Sequence, residues 1–261
     1  MYQPLIKFHP YPAIITQVLC IFAKNVDMKN VFSENMKMAD LVCHNSKLLS
    51  VLSRFEINLG FGDRSVGEVC NMYNVDKQFF LLICNVYCDE DFTPHYEDLK
   101  CVNIDSMIKY LHISHNYYLH ERLPHIEEHF NRIIEACPSK YAIPLKRFFD
   151  EYKNEVATHF EYEETVVFPY LKTLEDKTSG ILGYNIGEFK GTHSSIIEDN
   201  LNDLLNILVK YLPAEIFPKE RIEISMDIIE LSADIVSHAM IEDRILIPFV
   251  EHLELKNDES R

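Results

Sequence analysis

The chain has 261 residues, a hydrophobic fraction of 47% and a formal charge of -16, so it can bury a real core, either in one large domain or in a small domain joined to a larger one. That acidic balance argues against any partner whose affinity comes from neutralising phosphates, nucleic acid first, because such affinity needs clustered Lys and Arg. Seven Gly, no Trp and long stretches rich in Leu, Ile, Glu, Lys and Asn predict an all-α protein over the turn-dense pattern of a β fold. The seven Cys, at positions 20, 43, 70, 84, 88, 101 and 137, form an odd set without a C-x-x-C. They fit reduced thiols in a cytoplasmic protein better than a disulfide framework or a zinc site.

Taken in order, residues 1–32 carry no motif and read as an N-terminal extension. Their apolar stretch, Ala13 to Ala23, is too short to span a membrane and lacks a convincing cleavage site. Residues 33–88 read as a small helical domain. Met38 to Phe55 has apolar residues at helical spacing, Leu59-Gly-Phe-Gly-Asp63 marks a turn, Ser65-Val-Gly-Glu68 is a capping box, and Asp76 caps a helix through Phe79, Phe80, Leu82 and Ile83. Cys84 and Cys88, one turn apart on that apolar helix, read as buried structural thiols. Short helices and tight turns also suit a helix-turn-helix DNA reader, which the acidic charge makes the poorer reading. Residues 89–102 are polar, contain a proline and have no period, so they are assigned to a linker.

Residues 103–257 then hold four long helical segments. The first runs from a cap at Asn103 or Asp105 to about Ala136, with a kink expected at Pro124. The second runs from about Ile143 to Leu174, the third from about Glu188 to Tyr211 after a loop with Gly180, Gly183 and Gly187, and the fourth from about Lys219 to Leu255. Segments and connections of these lengths predict an antiparallel four-helix bundle.

Polar residues interrupt the apolar faces of this bundle without breaking their period. In the fourth segment Ile224, Ile228, Leu231 and Ile235 lead to His238 and Glu242, then to Ile245 and Phe249. In the second, Leu145, Phe148, Tyr152 and Val156 lead to His159 and Glu163, then to Val167 and Tyr170. With 12 His and 41 acids, about two His-x-x-x-acid pairs are expected by chance. The inward phase of these two is what sets them apart. A buried carboxylate costs several kcal/mol, roughly, without a counter-charge, and a pair of divalent metal ions provides one.

The first and third segments each add one inward histidine, His115 before Tyr118 and His193 before Ile197, Leu201, Leu204 and Leu208; His112 sits off that line. His115 to His159 spans 44 residues and His193 to His238 spans 45, the arithmetic of a duplicated helical hairpin. Together the six side chains His115, His159, Glu163, His193, His238 and Glu242 form a set suited to a dinuclear iron site with open positions. His120, His125 and His129, around Pro124, read as surface or supporting residues. A purely structural module whose His and Glu satisfy one another is the alternative of another class.

On these residues the chain resembles hemerythrin-like di-iron proteins of the repair-of-iron-centres (RIC) family, over roughly residues 33–255. The motifs are Ser-His115-Asn-Tyr-Tyr, His159-Phe-Glu-Tyr-Glu163-Glu-Thr-Val-Val-Phe-Pro, Gly-Thr-His193-Ser and His238-Ala-Met-Ile-Glu242-Asp. Met38 to Phe80 resembles the ScdA-type domain that precedes the bundle there. Gly60-Phe61 stands at about the place where the family usually carries adjacent cysteines, which puts any thiol chemistry of that pair in doubt. The resemblance implies two non-haem iron ions, bridged by oxide or carboxylate, and a cytoplasmic stress protein that restores iron-sulfur clusters damaged by oxidants or nitric oxide. Its implied partners are damaged or metal-free iron-sulfur proteins and O2 or NO, with no nucleic acid, no membrane, and room for a homodimer. An O2/NO sensor or carrier and an NO or peroxide reductase are the alternatives on the same site.

Overall fold

The capping residues start helices where their chemistry requires. Ser65 Oγ accepts from the Glu68 backbone N–H at 3.2 Å while a Glu68 carboxylate oxygen accepts from the Ser65 N–H at 2.8 Å, so two otherwise orphaned donors are satisfied together. Asp76 accepts from the N–H groups of Gln78 and Phe79, and Asn103 from that of Ser106. The computed structural model describes residues 32–175, 184–192 and 196–259. The chain divides into two compact units, Met1–Cys88 and Asp89–Arg261. Among the described residues all repeating structure is helical, apart from an isolated antiparallel bridge between Lys37 and Ser65. None of these helices is long and apolar enough to cross a membrane. Residues 1–31 of the expected extension, with Ala13 to Ala23, and the glycines at 180 and 183 lie outside the described residues.

The first unit packs α1 (Met38–His44), α2 (Leu48–Arg54), α3 (Val66–Met72) and α4 (Lys77–Cys88). Met38, Leu41, Val51, Val66, Val69, Phe80 and Ile83 are fully buried between them, which supplies the apolar burial that such short helices need to be stable. The turn at Leu59 to Asp63 takes left-handed angles at Gly60 (φ 103°) and Gly62 (φ 62°), which glycine adopts without steric cost. Cys84 is buried and its pKa is raised well above the thiol range by desolvation, and burial pushes Cys70 up to about 12. Both are inert thiols at neutral pH.

The second unit opens with a short helix, α5 (Tyr96–Leu99), in a stretch whose sequence reads as an aperiodic linker. Its first turn forms because Asp98 accepts from the His95 backbone N–H at 2.8 Å. Four helical stretches follow among the described residues. The first joins α6 (Ile104–Tyr117) to α7 (Leu123–Ala136), and the second joins α8 (Ser139–Tyr162) to α9 (Phe168–Glu175). The third comprises α10 (Ile186–Thr192) and α11 (Ile196–Asn206) and the fourth joins α12 (Pro218–Ile241) to α13 (Ile247–Glu259). α7 packs on α8, α8 on α11, α11 on α12 and α12 on α7, while α6 meets α9 and α10 meets α13. Each of these pairings joins the late part of one helix to the early part of another, the pattern of an antiparallel four-helix bundle. Phe130, Phe149, Leu204, Leu208, Ile224 and Ile228 fill one stretch of its core.

Among the described residues each of the four stretches carries one π turn, at Tyr118–Arg122, Glu163–Val167, Ile207–Tyr211 and Glu242–Leu246. A proline stands two residues beyond each of them, at 124, 169, 213 and 248. Proline offers no N–H and its ring collides with the carbonyl four residues back, and a π turn takes that carbonyl out of α register. The disturbance expected at Pro124 is therefore absorbed by a π turn just before it. The extra residue also shifts the apolar stripe. Val250 is fully buried beyond the last π turn and Phe249 is only half-buried, whereas an unbroken α period picks Phe249. The second helix begins at Ser139, ahead of its expected start, because Pro144 inside it deprives only the exposed Lys140 carbonyl of a partner.

Candidate metal centre

Three of the long helices converge on one polar point in the apolar core. His115 comes from the last turn of α6, Glu163 opens the π turn of the second helix, and His238 and Glu242 straddle the passage from α12 into its π turn. His115 and His238 are each 2% exposed and both carboxylates 0%. One ligand atom from each of the four lies within 4.8 Å of every other. π turns are frequent where a helix must present functional groups, and here both carboxylates sit at the first residue of one.

The contacts within this cluster are short without being hydrogen bonds. His115 Nε2 is 3.0 Å from one Glu163 oxygen, and His238 Nε2 is 3.2 Å from Glu242. Yet His115 Nε2, both Glu163 oxygens and both ring nitrogens of His238 are buried with no hydrogen-bond partner. Two ligands held at about 2.1 Å and at right angles on one ion lie about 3.0 Å apart. The spacing and these lone pairs fit a donor set for a cation, and nitrogen with carboxylate oxygen suits iron, manganese or zinc.

Of the other expected ligands, His159 sits at the edge of this group. Its side chain is 23% exposed and its Nε2 lies 2.7 Å from the second Glu163 oxygen, so Glu163 turns one oxygen to His115 and the other to His159. His193 lies outside the described residues. His120 and His125 are exposed and His129 is half-buried. The His125 and His129 rings meet tilted by 50°, with centroids 4.7 Å apart, and lie remote in sequence from His159, Glu163, His238 and Glu242.

Burial by itself drives the His115 imidazole toward its neutral form. The close approach of the Glu163 carboxylate, the hydrogen bond to Glu164, and the charges of Glu163 and Glu242 outweigh that burial and raise its pKa to about 9. Without a cation the site thus holds a proton at His115. A metal ion at Nε2 replaces that proton and does the same electrostatic work.

Two features of the surroundings are not visible in the spacing of the motifs. Phe160 stacks on the His115 ring at 4.2 Å and 14°, with Phe168 also parallel to it at 5.6 Å and 5°. Glu164, the residue after Glu163, reaches across to His115 Nδ1 at 2.8 Å. The pairing of Glu164 joins residues 49 apart, and a helical neighbour of a ligand points about 100° away from it, so nothing in the local pattern singles it out.

No solved structure matches the chain. The model of the hemerythrin HHE cation-binding domain matches residues 118–250, half of the chain. That span contains His159, Glu163, His193, His238 and Glu242 and begins just after His115. Helical architecture, a buried His and Glu cluster fit for a cation, and this match agree: the chain belongs to the hemerythrin HHE cation-binding family.

Proposed function

We propose that this chain is a di-iron protein that restores iron-sulfur centres damaged by oxidants or nitric oxide, acting in the cytoplasm on damaged or metal-free iron-sulfur proteins. The observation that carries the reading is the buried group His115, Glu163, His238 and Glu242, whose ligand atoms converge inside an apolar core, with those of His115 Nε2, Glu163 and His238 lacking hydrogen-bond partners. His159 and, from the sequence motif, His193 complete the donor set. Support for a carboxylate shared between two ions comes from Glu163, which turns one oxygen to His115 and the other to His159. Support for repair as the use of the site comes from the resemblance of residues 33–255 to the RIC family, including its small N-terminal domain.

Bound iron supplies reversible one-electron chemistry and open positions for small ligands, because imidazole and carboxylate hold it with fewer than six protein donors. The chain's part is to keep those donors dry and fixed. Phe160 and Phe168 wall His115, and the partial exposure of His159 leaves one flank of the site nearer to solvent.

The test is to mix anaerobically iron-loaded protein with a metal-free iron-sulfur enzyme and to follow the enzyme's recovery and the iron left on this chain. Recovery with loss of iron from the chain is expected. A stable, reversible O2 or NO adduct with no transfer would contradict repair and assign the site to gas binding. Steady NO or peroxide turnover with a reductase would assign it to reduction.

A further inference from the structure

A carboxylate, an exposed histidine and an amide form a chain from the surface of the bundle to His115. Glu164 Oε1 lies 2.8 Å from His115 Nδ1. Both Glu164 oxygens also lie against Nδ1 of His112, at 3.0 and 3.1 Å. On the far side of that ring, Asn116 Nδ2 donates to His112 Nε2 at 2.9 Å and to the His112 carbonyl at 3.1 Å. Because Asn116 donates to Nε2, the His112 ring keeps its proton on Nδ1, facing Glu164. His112 lies off the apolar line of its helix that carries His115. Its ring is half exposed, at 54%, and Glu164 is 31% exposed, so the assembly sits at the outer edge of the site and outside the group of buried ligands.

We propose that Glu164 is a positioning residue for the metal ligand His115, and that His112, steadied by Asn116, holds Glu164 in place. The inference rests on reading His115 as a ligand. By accepting from Nδ1–H, Glu164 fixes the tautomer with the lone pair on Nε2 and turns that lone pair toward Glu163, 3.0 Å away. It also makes the imidazole a stronger donor, as carboxylates behind metal-bound histidines do. Phe160 and Phe168 restrain the ring from its flat sides, and Glu164 restrains it in its own plane. These hydrogen bonds of the His112 ring and of the Asn116 amide run to Glu164 and to each other, so their contribution passes through Glu164.

The experiment measures Zn(II) affinity of the full chain by chelator competition, alongside the 15N and Nδ1–H signals of His115 in the Zn(II)-loaded protein. The variants are E164A, E164Q and H112A. Wild type is expected to show a slowly exchanging Nδ1–H. E164A is expected to bind Zn(II) roughly 10–100-fold more weakly and to lose that signal. E164Q, whose amide oxygen still accepts from Nδ1–H, is expected to restore part of both, and H112A to cause a smaller loss while leaving every buried contact intact. Zn(II) affinity and His115 signals unchanged in E164A and H112A would overturn the inference alone. A wild-type chain that takes up no Zn(II) would overturn the metal-centre reading and the inference with it.

Discussion

His115 shows how one residue couples the site to pH. Its pKa of about 9 in the metal-free chain stands above its ordinary value of 6.5, so the folded form binds the proton more tightly than the unfolded form. The resulting stability is fully present below about pH 6.5 and is lost as pH rises through about 9, on the order of 3 kcal/mol in all. Metal affinity runs the opposite way. A bound ion displaces the His115 proton, so affinity is predicted to rise roughly tenfold per pH unit up to about 9, with proton release seen by calorimetry in buffers of different ionisation heat. A flat affinity between pH 7 and 9 would count against His115 as a ligand. The ring that stacks on it is also structural. Phe160 is 2% exposed, and F160A is predicted to cost about 3–5 kcal/mol in urea unfolding, with weaker metal binding besides. His115 was legible in the sequence through its inward phase; Glu164 and Phe160 were not, because their roles depend on contacts across helices.

Among the elements, those fixed by local chemistry were the most readable. The Ser65 and Glu68 box, the Asp76 cap and the Asn103 cap all follow from side chains bonding backbone N–H groups within three residues. S65A should therefore lower stability of the first unit by about 1 kcal/mol, measurable as a shift in denaturation midpoint. An unchanged midpoint would mean that the box contributes nothing beyond what water supplies. The π turns were not readable as such, although each is announced by a proline two residues on. Proline says that an α turn must give way and leaves open whether it kinks or widens. The burial of Phe168 and Leu171 beyond one π turn, and of Ile247 and Val250 beyond another, keeps the following helix in the core, and widening satisfies that demand. The missed shift from Phe249 to Val250 has the same origin.

For the whole molecule, the duplicated hairpin explains why so few residues sufficed to suggest a bundle with a central cation site. Each half brings a His and a His-x-x-x-Glu at nearly equal spacing, and antiparallel packing brings their midpoints together. What spacing could not supply was the degree of closure: four donors lie fully inside while His159 stands at the rim. Binding to the folded state alone should stabilise the second unit by about 2.7 kcal/mol at a hundredfold excess over Kd, a rise of roughly 5–10 °C in its melting temperature that a chelator reverses. A melt indifferent to both iron and chelator would support the structural module instead. The central claim is met most directly by metal analysis and an optical spectrum of the anaerobically reconstituted chain beside the E163A/E242A double variant. About two irons per wild-type chain, with absorption in the near ultraviolet and visible, and none retained by the double variant, is the expected result. Wild type that holds no iron, or a double variant that holds as much as wild type, would contradict it.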